Sequence, residues 1–124
     1  MDKQKTVLVA EDDLLYASVY QNKLAKEGIN VVVVGNGDAA VKKSLELKPD
    51  LILLDLIMPI MDGFAALEKI KTDPATKKIK VVVMSNLGQD SDIKKAKELG
   101  AEEYFIKANI SIQELVDKVK SYLK

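Results

Sequence analysis

Five short apolar runs recur along this 124-residue chain, each followed by a segment of helical period. The runs are Thr6–Ala10 (TVLVA), residues 31–34 (VVVV), Leu51–Leu54 (LILL), residues 81–84 (VVVM) and residues 104–106 (YFI). Three of them are continuously apolar rather than alternating, the pattern of strands buried on both faces. In the segments between, Tyr16, Val19, Tyr20 and Leu24 share one helical face, which Gly28 brings to a stop. A second helix is expected over about 38–47, before Pro49. A third is expected over about 63–71, ending near Asp73-Pro74 because a residue before proline resists helix. A fourth is expected over about 91–99, closing at Gly100. The last opens with Ser111 and Glu114 in capping-box spacing and is expected to bury Ile112, Leu115, Val116, Val119 and Leu123. Five strands alternating with five helices predict an α/β fold: a parallel sheet covered on both faces, with right-handed crossovers. The expected arrangement is a doubly wound, five-stranded, flavodoxin-like (βα)5 sheet in the order 2-1-3-4-5, in one domain spanning 1–124.

What the chain lacks narrows its chemistry. It has no histidine, no cysteine and no arginine, all 19 of its basic residues being lysine. A Ser-His-Asp triad, a thiol nucleophile, a disulfide and an ordinary zinc site are therefore excluded, as is a bidentate guanidinium clamp on phosphate. Formal net charge is zero. Residues 1–68 carry 7 lysines and 11 acids, and the remainder 12 lysines and 8 acids, so neither half is basic enough to predict nucleic-acid binding. No apolar run approaches the ~20 residues that cross a bilayer, and the polar start MDKQK is no signal peptide. Carboxylates, lysines, hydroxyls, backbone groups and a bound metal are what remain.

Doubly wound sheets bind ligands beyond the carboxyl ends of their strands. Glu11, Asp12 and Asp13 follow the first strand and Asp55 ends the third; Ser85 follows the fourth and Lys107 ends the fifth. Asp55 is the one carboxylate in the apolar run 51–61, and a lone buried carboxylate is costly unless paired or metal-bound. Carboxylates from two neighbouring strand ends make a hard, all-oxygen site suited to Mg²⁺ or Mn²⁺. Lys107 would add a point charge and Ser85 a hydroxyl donor, a charge distribution that suits a phosphoryl group in transit. Taken singly, Asp12 and Asp13 could simply complement a helix N-terminus, Ser85 be a turn residue and Lys107 a solvated lysine. It is their coincidence at four strand ends that points to chemistry.

The segments VLVAEDD, PDLILLDLIMPIMDG and AKELGAEEYFIK, with Ser85 30 and Lys107 52 residues beyond Asp55, resemble a response regulator receiver domain of the CheY type. The likeness runs over essentially the whole chain. The strand order given above is itself that family's, so the two expectations are not independent. The resemblance implies that Asp55 is a phosphoacceptor served by a histidine kinase or phosphotransfer protein. Asp12 and Asp55 would be direct Mg²⁺ ligands (Mn²⁺ being an alternative), together with the backbone carbonyl of Ile57, and Glu11 would act through water. Ser85 and Lys107 would hold phosphoryl oxygens, and Tyr104 would turn inward as Ser85 is drawn to the phosphoryl. The output surface would be the fourth helix, fifth strand and fifth helix, meeting an unknown downstream protein. The chain would be a cytoplasmic signalling domain, monomeric or weakly dimeric, without membrane or nucleic-acid contacts. It would be no enzyme beyond catalysing its own phosphorylation and dephosphorylation. Ending directly after the last helix, it is expected to stand alone without an output domain.

Two positions depart from the family's pattern. Ala108 follows Lys107 where proline is usual, and Asn86 follows Ser85 where a small residue is usual. Asn86 is expected either to narrow access to the acyl phosphate or to hydrogen-bond across the site. Ile57 and Leu87, both apolar, cannot orient an attacking water, which predicts slow autodephosphorylation. An aspartyl phosphatase would need a second acid at Ile57, and a flavin phosphate would be repelled by Glu11-Asp12-Asp13. A receiver-like module that is never phosphorylated is the remaining alternative.

Overall fold

In the computed structural model, which describes residues 4–124, a strand occupies each of the five apolar runs. The first three residues of the polar MDKQK start lie outside the described ones. The order along the chain is β1 (Thr6–Ala10), α1 (Leu14–Lys26), β2 (Asn30–Val34), α2 (Gly37–Leu47), β3 (Leu51–Leu54), α3 (Gly63–Thr72), β4 (Lys80–Ser85), α4 (Asp90–Glu98), β5 (Glu103–Ile106) and α5 (Ile112–Tyr122). The strands form one parallel sheet in the order β2-β1-β3-β4-β5. Strand and helix ends differ from the sequence expectation by a residue or so, the usual uncertainty where helices fray and ladders open.

Alternate residues of the inner strands feed two separate apolar layers. Leu8, Ile52, Leu54, Val81 and Val83 pack with Ala40 of α2, Ala66, Leu67 and Ile70 of α3 and Ala96 of α4. Val7, Val9, Leu51, Leu53, Val82 and Met84 point the other way, against Tyr20 and Leu24 of α1 and Leu115, Val116 and Val119 of α5. Continuous apolar sequence in β3 and β4 is thus explained by burial on both faces. β2 is different: despite reading VVVV it is an edge strand, and Val31, Val32 and Val33 are only half-buried. α5 is narrower than its pattern implies, since Ile112 and Leu123 at its two ends are half-buried.

Side chains start the helices where the strands end. Asp13, Asn36 and Asp62 each accept a backbone N–H from the first turn of α1, α2 and α3. Ser111 and Glu114 form the reciprocal capping box of α5. Gly28 and Gly100 lie just beyond α1 and α4 at φ of 80° and 108°, the left-handed conformation that glycine adopts without strain.

Candidate functional site

Parallel strands in register deliver their last residues to one edge. Glu11 and Asp12 follow β1, Asp55 follows β3, Ser85 is the last residue of β4, and Lys107 opens the single 3₁₀ turn after β5. Carboxylate oxygens of Glu11, Asp12 and Asp55 lie within 4.8 Å of one another, and no other cluster of this kind occurs among the described residues. Glu11 and Asp55 are buried while Asp12 faces solvent. Asp13, adjacent in sequence, is instead the α1 cap.

Asp55 is held by backbone and by charge. Its Oδ1 accepts the N–H of Leu56 at 2.7 Å and that of Ile57 at 3.4 Å, and its Oδ2 faces Lys107 Nζ at 3.1 Å. The Ile57 side chain is exposed. Lys107 is itself buried and pairs also with Glu11 Oε1. Glu11 Oε1 is fully buried, with the Lys107 ammonium as its ionic partner, and Glu11 Oε2 accepts the N–H of Asp13 at 3.1 Å. Burial pushes the Glu11 carboxyl above the ordinary range, opposed by Lys107 and assisted by the charge of Asp55. Burial pulls Lys107 down, but the Glu11 and Asp55 carboxylates outweigh it and hold the ammonium above its ordinary value. Three clustered carboxylates offset by a single ammonium are a hard oxygen donor set that fits an oxygen-preferring divalent cation.

The connection carrying Asp55 toward α3 has almost no slack. The N–H of Gly63 donates to the Leu56 carbonyl at 2.9 Å, and that of Gly37 to the Met61 carbonyl at 2.8 Å. A Cβ on Gly63 would lie 2.1 Å from the Asp55 carbonyl oxygen, and one on Gly37 2.2 Å from that of Met61. Both are overlaps with backbone, so only glycine fits. Ile60, in the same connection, sits at φ 70° and is 83% exposed. A β-branched residue in the left-handed region is strained, and nothing buried compensates it here.

Ser85 is buried, and its hydroxyl accepts the N–H of Leu87 at 3.2 Å. The Tyr104 hydroxyl donates to the carbonyl of the same Leu87. Burial raises the Tyr104 hydroxyl above its ordinary value. Asn86 does hydrogen-bond across the site: its Oδ1 accepts the Ala108 N–H at 3.1 Å. Ser85 and Ile106 are the last paired residues of β4 and β5, so this bond adds a link beyond the end of the ladder. A proline at 108 would have no N–H to give. Past Lys107 the chain makes the 3₁₀ turn Lys107–Asn109, and no cis peptide bond occurs among the described residues.

Tyr16 also reaches the site. Its ring centroid lies 4.5 Å from Lys107 Nζ. From the sequence Tyr16 reads as a member of the α1 core face, and a lone tyrosine at helical spacing carries no signal of a cationic partner. Gly37 was equally silent, since the chain segment it packs on is remote in sequence.

A model of the response regulator receiver domain family matches residues 7–120. Among curated proteins, the response regulator protein VraR of Staphylococcus epidermidis is 34% identical over 117 residues, 94% of this chain and 54% of that protein. The chain spans about half the length of the curated relatives it matches. Among solved structures, a response regulator from Chloroflexus aurantiacus superposes with a TM-score of 0.89 at 28% identity, covering 98% of both chains. The Mn²⁺-bound form of response regulator Rcp1 superposes with a TM-score of 0.82 at 27% identity, covering 96% of this chain and 94% of that one.

Proposed function

The chain belongs to the response regulator receiver domain family, and from that premise we propose that Asp55 is its phosphoacceptor in a two-component phosphorelay. The observation that carries this reading is the convergence of Asp55, Glu11, Asp12 and Lys107 at one edge of the sheet, with Ser85 at the end of the neighbouring strand. In the proposed step an Asp55 carboxylate oxygen attacks phosphorus. The P–O bond forms as the P–N bond of a phosphohistidine on a histidine kinase or phosphotransfer protein breaks. Backbone N–H groups of Leu56 and Ile57 fix the nucleophile through Oδ1. Lys107 neutralises one phosphoryl oxygen and Ser85 donates to another. Asp12, Asp55 and the Ile57 carbonyl would hold Mg²⁺ or Mn²⁺ directly, with Glu11 through water; when bound, the ion supplies further neutralisation of the transferring charge. Support for the metal comes from the oxygen donor set and from Rcp1, a relative with Mn²⁺ bound.

The readout we propose runs through Leu87, whose N–H is held by Ser85 and whose carbonyl is held by Tyr104. Drawing Ser85 toward a phosphoryl breaks one of these holds, loosens the other and frees Tyr104 to turn inward, altering the α4, β5 and α5 surface. The chain acts as a signalling domain rather than a turnover enzyme, and its downstream partner meets that surface. No helix among the described residues is long and apolar enough to cross a membrane.

Intact-mass spectrometry after incubation with Mg²⁺ and acetyl phosphate tests the central step. One phosphoryl adduct is expected on the wild type, and none on Asp55→Asn or in the presence of a chelator. An adduct that persists in Asp55→Asn would place the acceptor elsewhere. Failure of the wild type to take either an adduct or beryllofluoride would favour a module that is never phosphorylated.

A further inference from the structure

Of the groups around Lys107, two are carboxylates and one is not. Nζ pairs with Glu11 and Asp55 and lies 4.5 Å from the centroid of the Tyr16 ring. Tyr16 is half-buried, in the first turn of α1, with its N–H accepted by the Asp13 cap and its ring 5.9 Å from that of Tyr20. Its place is therefore fixed by the helix start and by a neighbouring ring, independently of Lys107.

Both ionic anchors of Lys107 change when the site is used. On the reading proposed above, Asp55 becomes an acyl phosphate and Glu11 turns to a metal-bound water. A lysine on a flexible four-carbon stem would then have only the incoming phosphoryl to hold it. The ring face is the one contact of the three that occupation of the site leaves untouched. We propose that Tyr16 is a positioning residue: its aromatic face keeps the Lys107 ammonium at the phosphoryl position while the two carboxylates are reassigned. The inference rests on the phosphoacceptor reading, and it concerns the ring rather than the hydroxyl.

The test compares Tyr16→Leu, which keeps apolar bulk but removes the π face, with Tyr16→Phe, which keeps the face. Two measurements are made on the full chain. In the unmodified protein, NMR reads the ring-current shift of the Lys107 Cε methylene protons. With Mg²⁺ fixed, a beryllofluoride titration reads how well the site holds a phosphoryl-like anion. Wild type and Tyr16→Phe are expected to show the upfield shift and to bind alike. Tyr16→Leu is expected to lose the shift and bind beryllofluoride about three- to thirtyfold more weakly, the effect of one partly to fully desolvated cation–π contact, with Mg²⁺ affinity unchanged. Equal binding by Tyr16→Leu and wild type overturns the proposal, and so does an equal loss in Tyr16→Phe and Tyr16→Leu. If wild type binds no beryllofluoride, it is the phosphoacceptor reading that fails. The methylene shift still decides the placement of Lys107, and its absence in wild type overturns the inference.

Discussion

At the scale of single residues, the site is a set of charges that balance only together. Lys107 is the sole cation in contact with Glu11 and Asp55 among the described residues, and all three are buried. Removing one partner of a buried ion pair leaves the other uncompensated, which costs about 3–5 kcal/mol. Lys107→Met should therefore destabilise the metal-free protein by about 3 kcal/mol in urea unfolding, and millimolar Mg²⁺ should restore more stability to the variant than it adds to the wild type. Equal Mg²⁺ stabilisation of the two proteins would show that lysine and metal do not share these oxygens. Ile60 carries strain rather than charge. At φ 70° its side chain costs about 1–2 kcal/mol that glycine avoids, so Ile60→Gly is expected to be neutral or stabilising despite glycine's looser unfolded chain. A loss above about 1 kcal/mol on denaturant unfolding would mean that the exposed isoleucine makes contacts worth more than its strain.

At the scale of elements, the end of a strand decides what its last residue can do. β4 and β5 stop pairing at Ser85 and Ile106, and the Asn86 side chain then takes the Ala108 N–H as a further rung. The two positions where the sequence departs from its family thus meet in one bond, a relation that neither shows alone. Asn86→Ala should speed hydrogen exchange at the Ala108 amide and cost about 0.5–1 kcal/mol, while amides within β4 stay protected. Unchanged exchange at Ala108 would show that the 3₁₀ turn is held without the side chain. The start of α5 was legible because its caps, Ser111 with Glu114, are local in sequence, whereas Asn36 and Asp62 were not named as the caps of α2 and α3. Burial of whole elements was less legible. The run at 31–34 reads as buried on both faces, yet Val31, Val32 and Val33 are half-buried, because β2 occupies the edge that the expected strand order gives it.

At the scale of the whole molecule, five βα units make a parallel sheet covered on both faces, its order 2-1-3-4-5 is that of the resembled family, and the strand-end residues named from the sequence do lie along one edge. Tyr16 and the Gly37 clamp were not legible, because their roles depend on contacts between segments distant along the chain. The same topology makes a directional prediction. With beryllofluoride and Mg²⁺ bound, backbone chemical-shift changes should extend from the site through Leu87 into α4 and β5, and stay small along the outer part of α2. Changes confined to the immediate shell of Asp55, with α4 and β5 silent, would remove Leu87 as the relay. The placement of Lys107 has one further consequence for which ions this protein can admit. The cleft already contains a tethered monovalent cation that never diffuses away. Sodium or potassium brings no more charge than this resident group, and must compete with it at the same oxygens. A divalent ion brings twice the charge. On the metal-binding reading proposed above, valence would then discriminate between ions ahead of any preference arising from ionic radius or ligand number.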